Sequence, residues 1–283
     1  MPTVAALAAI LLWSTLATFG VALGHLPPLF LTGCALIIGA VPGLLYVRRW
    51  RVPFSTLLLG IAGLFGFHFL LFLALRFAPP VEANLVNYLW PLLIVLLTPV
   101  LLPGWRLAAR HVIAAGLGFA GAALAIGAAP ATFTPAALMG FGFAAGSALT
   151  WAFYSLLTRR VAPFSSWAIG GFALASGVLA IGCHIAFEAP AVMRDEDIWR
   201  LLLLGLGPMG LAFYFWDFAM KRGDPRVIGV LAYATPLLST ALLVVATGRP
   251  MTPALAAATL LVVAAAVIAS TAPQRRSDGG RSV

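Results

Sequence analysis

Residues 84–93 read NLVNYLWPLL, two amides, a phenol, an indole and a proline set inside an apolar run long enough to cross a bilayer. A polar group taken out of water without a partner costs roughly 2–7 kcal/mol, so these side chains are expected to face a cavity or another helix. At about 100° per residue, Asn84, Asn87, Tyr88 and Pro91 fall on one stripe of a helix, with Trp90 at its edge. Pro91 removes a backbone donor and frees a carbonyl of the preceding turn, which is tolerated at this depth only beside a cavity or a neighbouring helix. The chemistry these groups offer is reversible binding of a small molecule: amide and phenol hydrogen bonds beside an aromatic face.

Similar stripes recur elsewhere. Ser147, Thr150, Trp151 and Tyr154 share one helical spacing, Gly207, Gly210, Tyr214 and Asp217 another, and Trp13 stands beside Ser14 and Thr18. His68 is the one titratable group near mid-depth, and an ionisable residue inside a membrane is a functional candidate by default. Each has a plainer reading: Ser and Thr bond the preceding turn, the aromatics pack, and His68 bonds a nearby carbonyl or hydroxyl. Asp217 precedes Lys221 by one turn, the spacing of an ion pair, and Glu82 sits in a first helical turn, where the dipole stabilises a carboxylate. Cys34 and Cys183 lack metal-ligand spacing and read as small hydrophobes. There is no HExxH and no paired Asp inside the apolar runs, so no enzyme chemistry, metal or cofactor is expected.

These residues must be held by membrane helices. Of 283 residues, 62% are hydrophobic and 9% charged, with a mean hydropathy of +1.05, against about 25% charged in a soluble domain. The fold class is an all-α integral membrane protein. A formal charge of +9 is read as basic loops against anionic lipid headgroups, not as a nucleic-acid surface. Ten segments approach the ~20 residues that span the hydrocarbon core: 3–23, 29–47, 55–75, 80–101, 106–128, 135–158, 165–187, 198–219, 225–247 and 252–271. Pro and Gly clusters separate them. The first has no basic leader and is expected to remain as a helix. Three GxxxG spacings, Gly20/Gly24, Gly39/Gly43 and Gly142/Gly146, favour dense packing without requiring a dimer, so a monomer suffices.

Lys and Arg set the orientation. Alternate loops put Arg48, Arg49, Arg51, Arg106, Arg110, Arg159, Arg160, Lys221, Arg222, Arg226, Arg275, Arg276 and Arg281 on one side, and only Arg76, Arg194, Arg200 and Arg249 on the other, which accounts for all 17. Both termini are therefore expected in the cytoplasm, with Glu188, Asp195, Glu196 and Asp197 outside. The halves also echo each other. A shift of 145 lays LRFAPPVEANLVNYLWPLL (75–93) on MKRGDPRVIGVLAYATPLL (220–238), matching Pro80 to Pro225, Tyr88 to Tyr233 and Pro91 to Pro236; a shift of 138 lays Trp13 on Trp151. Five helices per half turn the second half over, the inverted repeat of many secondary transporters, whose site lies at the repeat interface. The expected organisation is 1–128 as the first repeat, 135–271 as the second, and 272–283 as a basic cytoplasmic tail.

With these features the chain resembles the EamA-type branch of the drug/metabolite transporter superfamily over nearly its whole length. The stretch VNYLWP (86–91), together with His68, is similar to YddG-type exporters of aromatic amino acids in bacterial inner membranes. The resemblance implies efflux of amino acids through a central cavity carrying His68, Tyr88, Trp90 and Trp151. The residues expected to line the pathway are Trp13, His68, Asn84, Asn87, Tyr88, Trp90, Trp151, Tyr154, Tyr214 and Tyr233, with helix breaks at Pro91 and Pro236. Phosphorylated substrates would need Lys or Arg at mid-depth, and every basic residue lies in or near a loop. Amino acids and organic cations both remain open, the latter because aromatic faces attract cations.

Overall fold

The computed structural model describes residues 1–126, 134–247 and 253–270, and among them every regular element is helical. In chain order the helices are α1 (Pro2–Ser14), α2 (Leu16–Ala22), α3 (Pro28–Leu44), α4 (Phe54–Ile61), α5 (Phe67–Phe77), α6 (Pro80–Asn87), α7 (Trp90–Leu101) and α8 (Ala109–Ile126). They continue with α9 (Pro135–Leu157), α10 (Ile169–Phe187), α11 (Asp195–Leu206), α12 (Ala212–Arg222), α13 (Pro225–Leu231), α14 (Ala234–Thr247) and α15 (Pro253–Ser270). The tail 272–283 lies outside the described residues, as do 127–133 and 248–252. Proline opens α1, α3, α6, α9, α13 and α15; its missing N–H costs nothing at a first helical position, and its fixed φ suits the first turn.

The helices fall on the segments drawn from the sequence, with ends shifted by a few residues. Six stretches of the described residues are long and apolar enough to cross a membrane: Pro2–Ala22, Phe54–Phe77, Glu82–Leu101, Pro135–Leu157, Ser166–Phe187 and Asp195–Arg222. Pro28–Leu44, Ala109–Leu124 and Ala256–Ser270 are shorter apolar helices. The molecule is a multi-pass membrane protein.

Several spans are interrupted, and the interruptions repeat. π-helical turns occupy Ala62–Gly66, between α4 and α5, and Gly207–Leu211, between α11 and α12; 207 − 62 = 145, the shift read from the sequence. The break between α6 and α7 falls at Tyr88–Leu89, and that between α13 and α14 at Ala232–Tyr233. Each proline sits just after its break, because its ring would clash with the carbonyl four residues back, at Asn87 for Pro91 and at Ala232 for Pro236. The chain opens there and re-forms a helix with the proline in its first turn.

Close approach of backbones holds the elements together, as expected where lipid gives no hydrophobic drive between helices. At Gly39 an added Cβ would lie 2.5 Å from the Met209 carbonyl oxygen and 2.9 Å from Gly210 Cα, so α3 rides directly on the second π turn. Of the GxxxG spacings only Gly39/Gly43 marks such an approach; Gly20 and Gly142 face open space. The acidic residues after α10 close the helix ends on their side. Glu188 accepts from the Leu29 N–H at 3.0 Å and the Phe30 N–H at 3.2 Å, capping α3 from a distant segment, and His184 joins it at 2.9 Å. Asp197, fully buried, accepts from the Arg194 N–H at 2.8 Å and meets His25 Nε2 at 2.9 Å. The acidic run thus begins α11 three residues earlier than its hydrophobicity indicates.

The basic side is tied more densely. Arg159 donates to the carbonyls of Met220 (2.9 Å) and Gly223 (2.7 Å) at the end of α12. The guanidinium groups of Arg159 and Arg226 both lie over the Trp105 ring, at 5.2 and 4.9 Å, and Arg226 also bonds the Arg106 carbonyl. Lys221 pairs with Asp217 at 2.7 Å, as its spacing predicts, and donates to the Phe164 carbonyl at 3.1 Å.

Candidate functional site

A cavity of about 530 Å³ lies among the broken helices, within the ~300–1,000 Å³ typical of small-molecule pockets. The first repeat-related half supplies Trp13, His68, Asn84, Asn87, Tyr88 and Trp90; the second supplies Trp151, Met209, Phe213, Thr235, Pro236 and Ser239. No Asp, Glu, Lys or Arg lines it among the described residues. Its walls run from the tryptophans toward the last turns of α2 and α5 and the first turn of α3, which Glu188 caps from the acidic loop. A second cleft, of about 630 Å³ between Pro2, Arg222, Asp224 and Ser270, lies among helix ends on the basic side and has no aromatic lining.

The floor is a layer of indoles. Trp13 is its hub, with ring centroids 6.3 Å from Trp90, 5.8 Å from Trp151 and 5.2 Å from Trp216. Trp90 stands edge-on to Trp216 at 5.4 Å and to Trp151 at 6.4 Å, the T-shaped geometry that aromatic quadrupoles favour. Two of the indole N–H groups are satisfied within the protein: Trp13 donates to the Pro208 carbonyl at 3.1 Å and Trp216 to Ser155 Oγ at 3.0 Å. The layer presents indole edges and π faces to whatever enters.

The π turns aim the wall residues. In the first, the Leu64 carbonyl meets His68 Nδ1 at 2.6 Å. A carbonyl only accepts, so Nδ1 carries the hydrogen, and in the neutral ring Nε2 is left as an acceptor. The second turn gives its Pro208 carbonyl to Trp13. Repeat-related residues meet each other: Trp13 and Trp151 touch as above, and His68 faces Phe213 at 6.2 Å, with 213 − 68 = 145. Contact between equivalent positions is what a local two-fold axis produces.

The residues expected to line the pathway divide. Trp13, His68, Asn84, Asn87, Tyr88, Trp90 and Trp151 come together on the cavity, with Pro236 at its wall. Pro91, Tyr154, Tyr214 and Tyr233 do not line it. The chain breaks at Tyr88–Leu89, so the regular stripe fails beyond Tyr88; Trp90 turns to the cavity while Pro91 is buried against Gly229. Tyr154 packs against Gly63 and Trp151. Tyr214 donates to the Gly39 carbonyl at 3.2 Å, because the π turn displaces the expected stripe and brings Phe213 inward. The Tyr233 hydroxyl accepts the Leu92 N–H at 3.1 Å, so it caps the start of α7 and ties one helix break to the other. Thr150 donates to the Gly146 carbonyl of its own preceding turn, the plainer reading, whereas Ser147 donates across to the Phe67 carbonyl of α5.

Phe67, Met209, Phe213, Trp216 and Thr235 were not singled out from the sequence. The 145-residue shift carried a signal for two of them, since it lays Phe213 on His68 and Thr235 on Trp90. Nothing in the sequence marks a π turn.

Comparisons with known proteins bear on the family and the fold. The model of the EamA-like transporter family matches residues 2–127 and again 138–271. The chain is 46% identical over 248 residues to the aromatic amino acid exporter YddG of Ancylobacter novellus, covering 84% of this chain and 86% of that protein. It is 26% identical over 269 residues to the protein of the same name from Escherichia coli K12, covering 88% and 89%. A solved crystal structure superimposes with a TM-score of 0.90 at 42% identity, over 95% of this chain and 97% of that one. Matched by the family in both of its halves, the chain belongs to the EamA-like transporter family.

Proposed function

We propose that this protein exports amino acids, aromatic ones among them, from the cytoplasm across a bacterial inner membrane. The observation that carries the reading is the cavity itself: an indole floor, walls of His68, Tyr88 and two asparagines, and, among the described residues, no fixed charge on its lining. A zwitterion with an aromatic side chain finds there a face to stack on and neutral dipoles for its head. The exporters of Ancylobacter and Escherichia support the same substrate class.

Movement through the site proceeds by alternating access. In this reading ten helices cross the membrane as two inverted repeats, residues 1–128 and 135–271, with both termini and the 272–283 tail in the cytoplasm; the basic loops and the element series recurring after 145 residues support it. The cavity then reaches toward the outside, and Trp105, Arg159 and Arg226 close the inner end. Export requires the opposite state, in which those ties part and the acidic-side caps approach.

Reconstituted protein in liposomes loaded with labelled solute tests the reading. Efflux of L-phenylalanine or L-tryptophan above that of empty liposomes is expected, with no movement of nucleotide sugars. Efflux of organic cations such as tetraphenylphosphonium while amino acids stay inside would replace this reading with that of a cation carrier.

A further inference from the structure

Two polar atoms on the cavity lining have no partner. Asn87 Oδ1 and Thr235 Oγ1 are each fully enclosed without a hydrogen bond, on residues only 4% and 5% exposed. An orphaned buried acceptor costs the desolvation of that group, and such orphans in native proteins call for an explanation. Both stand at helix breaks: Asn87 ends α6, and Thr235 lies in the first turn of α14. The bond from the Leu92 N–H to the Tyr233 hydroxyl holds the two breaks together. The halves differ here, for Trp90 in the first repeat corresponds to Thr235 in the second (235 − 90 = 145), so a small hydroxyl takes the place of an indole.

We propose that Asn87 Oδ1 and Thr235 Oγ1 accept hydrogen bonds from the α-ammonium group of the substrate, making the junction of the two helix breaks the subsite for the amino-acid head while the tryptophan layer takes the side chain. This rests on the reading of the protein as an amino-acid exporter and adds which atoms recognise the head. Among the described residues the lining has no carboxylate to meet a cation. Bonds from an ionised donor are stronger than neutral ones, and more so away from water. Neutral acceptors also let the substrate leave, which a buried ion pair would hinder.

The test is counterflow of labelled L-phenylalanine in proteoliposomes of the full chain, with two competitors: 3-phenylpropanoate, which lacks the ammonium group, and phenethylamine, which lacks the carboxylate. Asn87→Leu and Thr235→Val should each raise KM for L-phenylalanine by about 10- to 100-fold and leave inhibition by 3-phenylpropanoate unchanged, so that discrimination between the two collapses. Thr235→Ser should restore it. Asn87→Asp, which keeps the acceptor and adds charge, should strengthen inhibition by phenethylamine, a gain that misfolding cannot imitate. Equal weakening of both ligands, unchanged discrimination, or loss of discrimination against phenethylamine alone overturns the proposal. A wild-type protein that carries other amino acids but not L-phenylalanine overturns only the aromatic assignment, and the head subsite is then tested with that amino acid and its deaminated analogue. A protein that carries none overturns both.

Discussion

The division of labour among the aromatics is sharpest at single residues. Trp90 and Tyr88 touch the cavity, whereas Tyr233, at the matching place in the second half, spends its hydroxyl on the Leu92 N–H. Trp90→Ala and Tyr88→Ala are therefore expected to lower amino-acid efflux about tenfold or more, the loss of roughly 1.5–3 kcal/mol of buried aromatic contact, at near-normal protein levels. Tyr233→Phe removes only the acceptor, worth about 1 kcal/mol; detergent melts should show a fall of a few degrees with KM unchanged. His68→Gln, which keeps a neutral hydrogen-bonding side chain on the lining, should retain transport within about threefold of wild type, while His68→Ala lowers it further. If initial rates show both His68 variants equally inactive, a titrating imidazole is required. The polar residues in apolar runs were legible because their burial cost demands a reason; the destination of each hydroxyl was not, since Ser147, Thr150 and Tyr214 could bond either a backbone or a ligand.

Elements were legible where proline and hydropathy agree. Six helices open on proline, and the sequence marks each start, but the line of a stripe along a helix assumes unbroken geometry. Two π turns and two breaks each shift the facing residues, which is why Phe213 and not Tyr214 reaches the cavity. The same π turn creates a tight seam, where Gly39 meets the Met209 carbonyl with no room for a methyl group. Gly39→Ala is expected to destabilise the protein by about 1–3 kcal/mol, as overpacking against backbone does, and to reduce its melting temperature in detergent. Gly142→Ala, facing open space, is the control and should leave the melt unchanged. Equal melts for the two variants would remove the seam as a determinant of the fold.

For the whole molecule the proposed orientation rests on the charge asymmetry, and the proposed outward-open state on the course of the cavity walls. At the basic end the guanidinium groups of Arg159 and Arg226 both lie over the Trp105 ring, the tie that the proposed cycle must break. Trp105→Ala with Arg159→Ala should loosen that end, so that a cysteine placed near it reacts faster with a thiol reagent from the cytoplasmic side. A C-terminal reporter should be active in the cytoplasm only. The central claim, that the aromatic cavity is the route of the amino acid, is tested most directly by substrate protection. In a chain carrying Cys34→Ala, Cys183→Ala and Ser239→Cys, and shown to transport L-phenylalanine, a membrane-impermeant maleimide added from outside should label the single cysteine, and L-phenylalanine should slow that labelling in proportion to its occupancy. Labelling that proceeds at one rate with and without saturating L-phenylalanine would contradict the account.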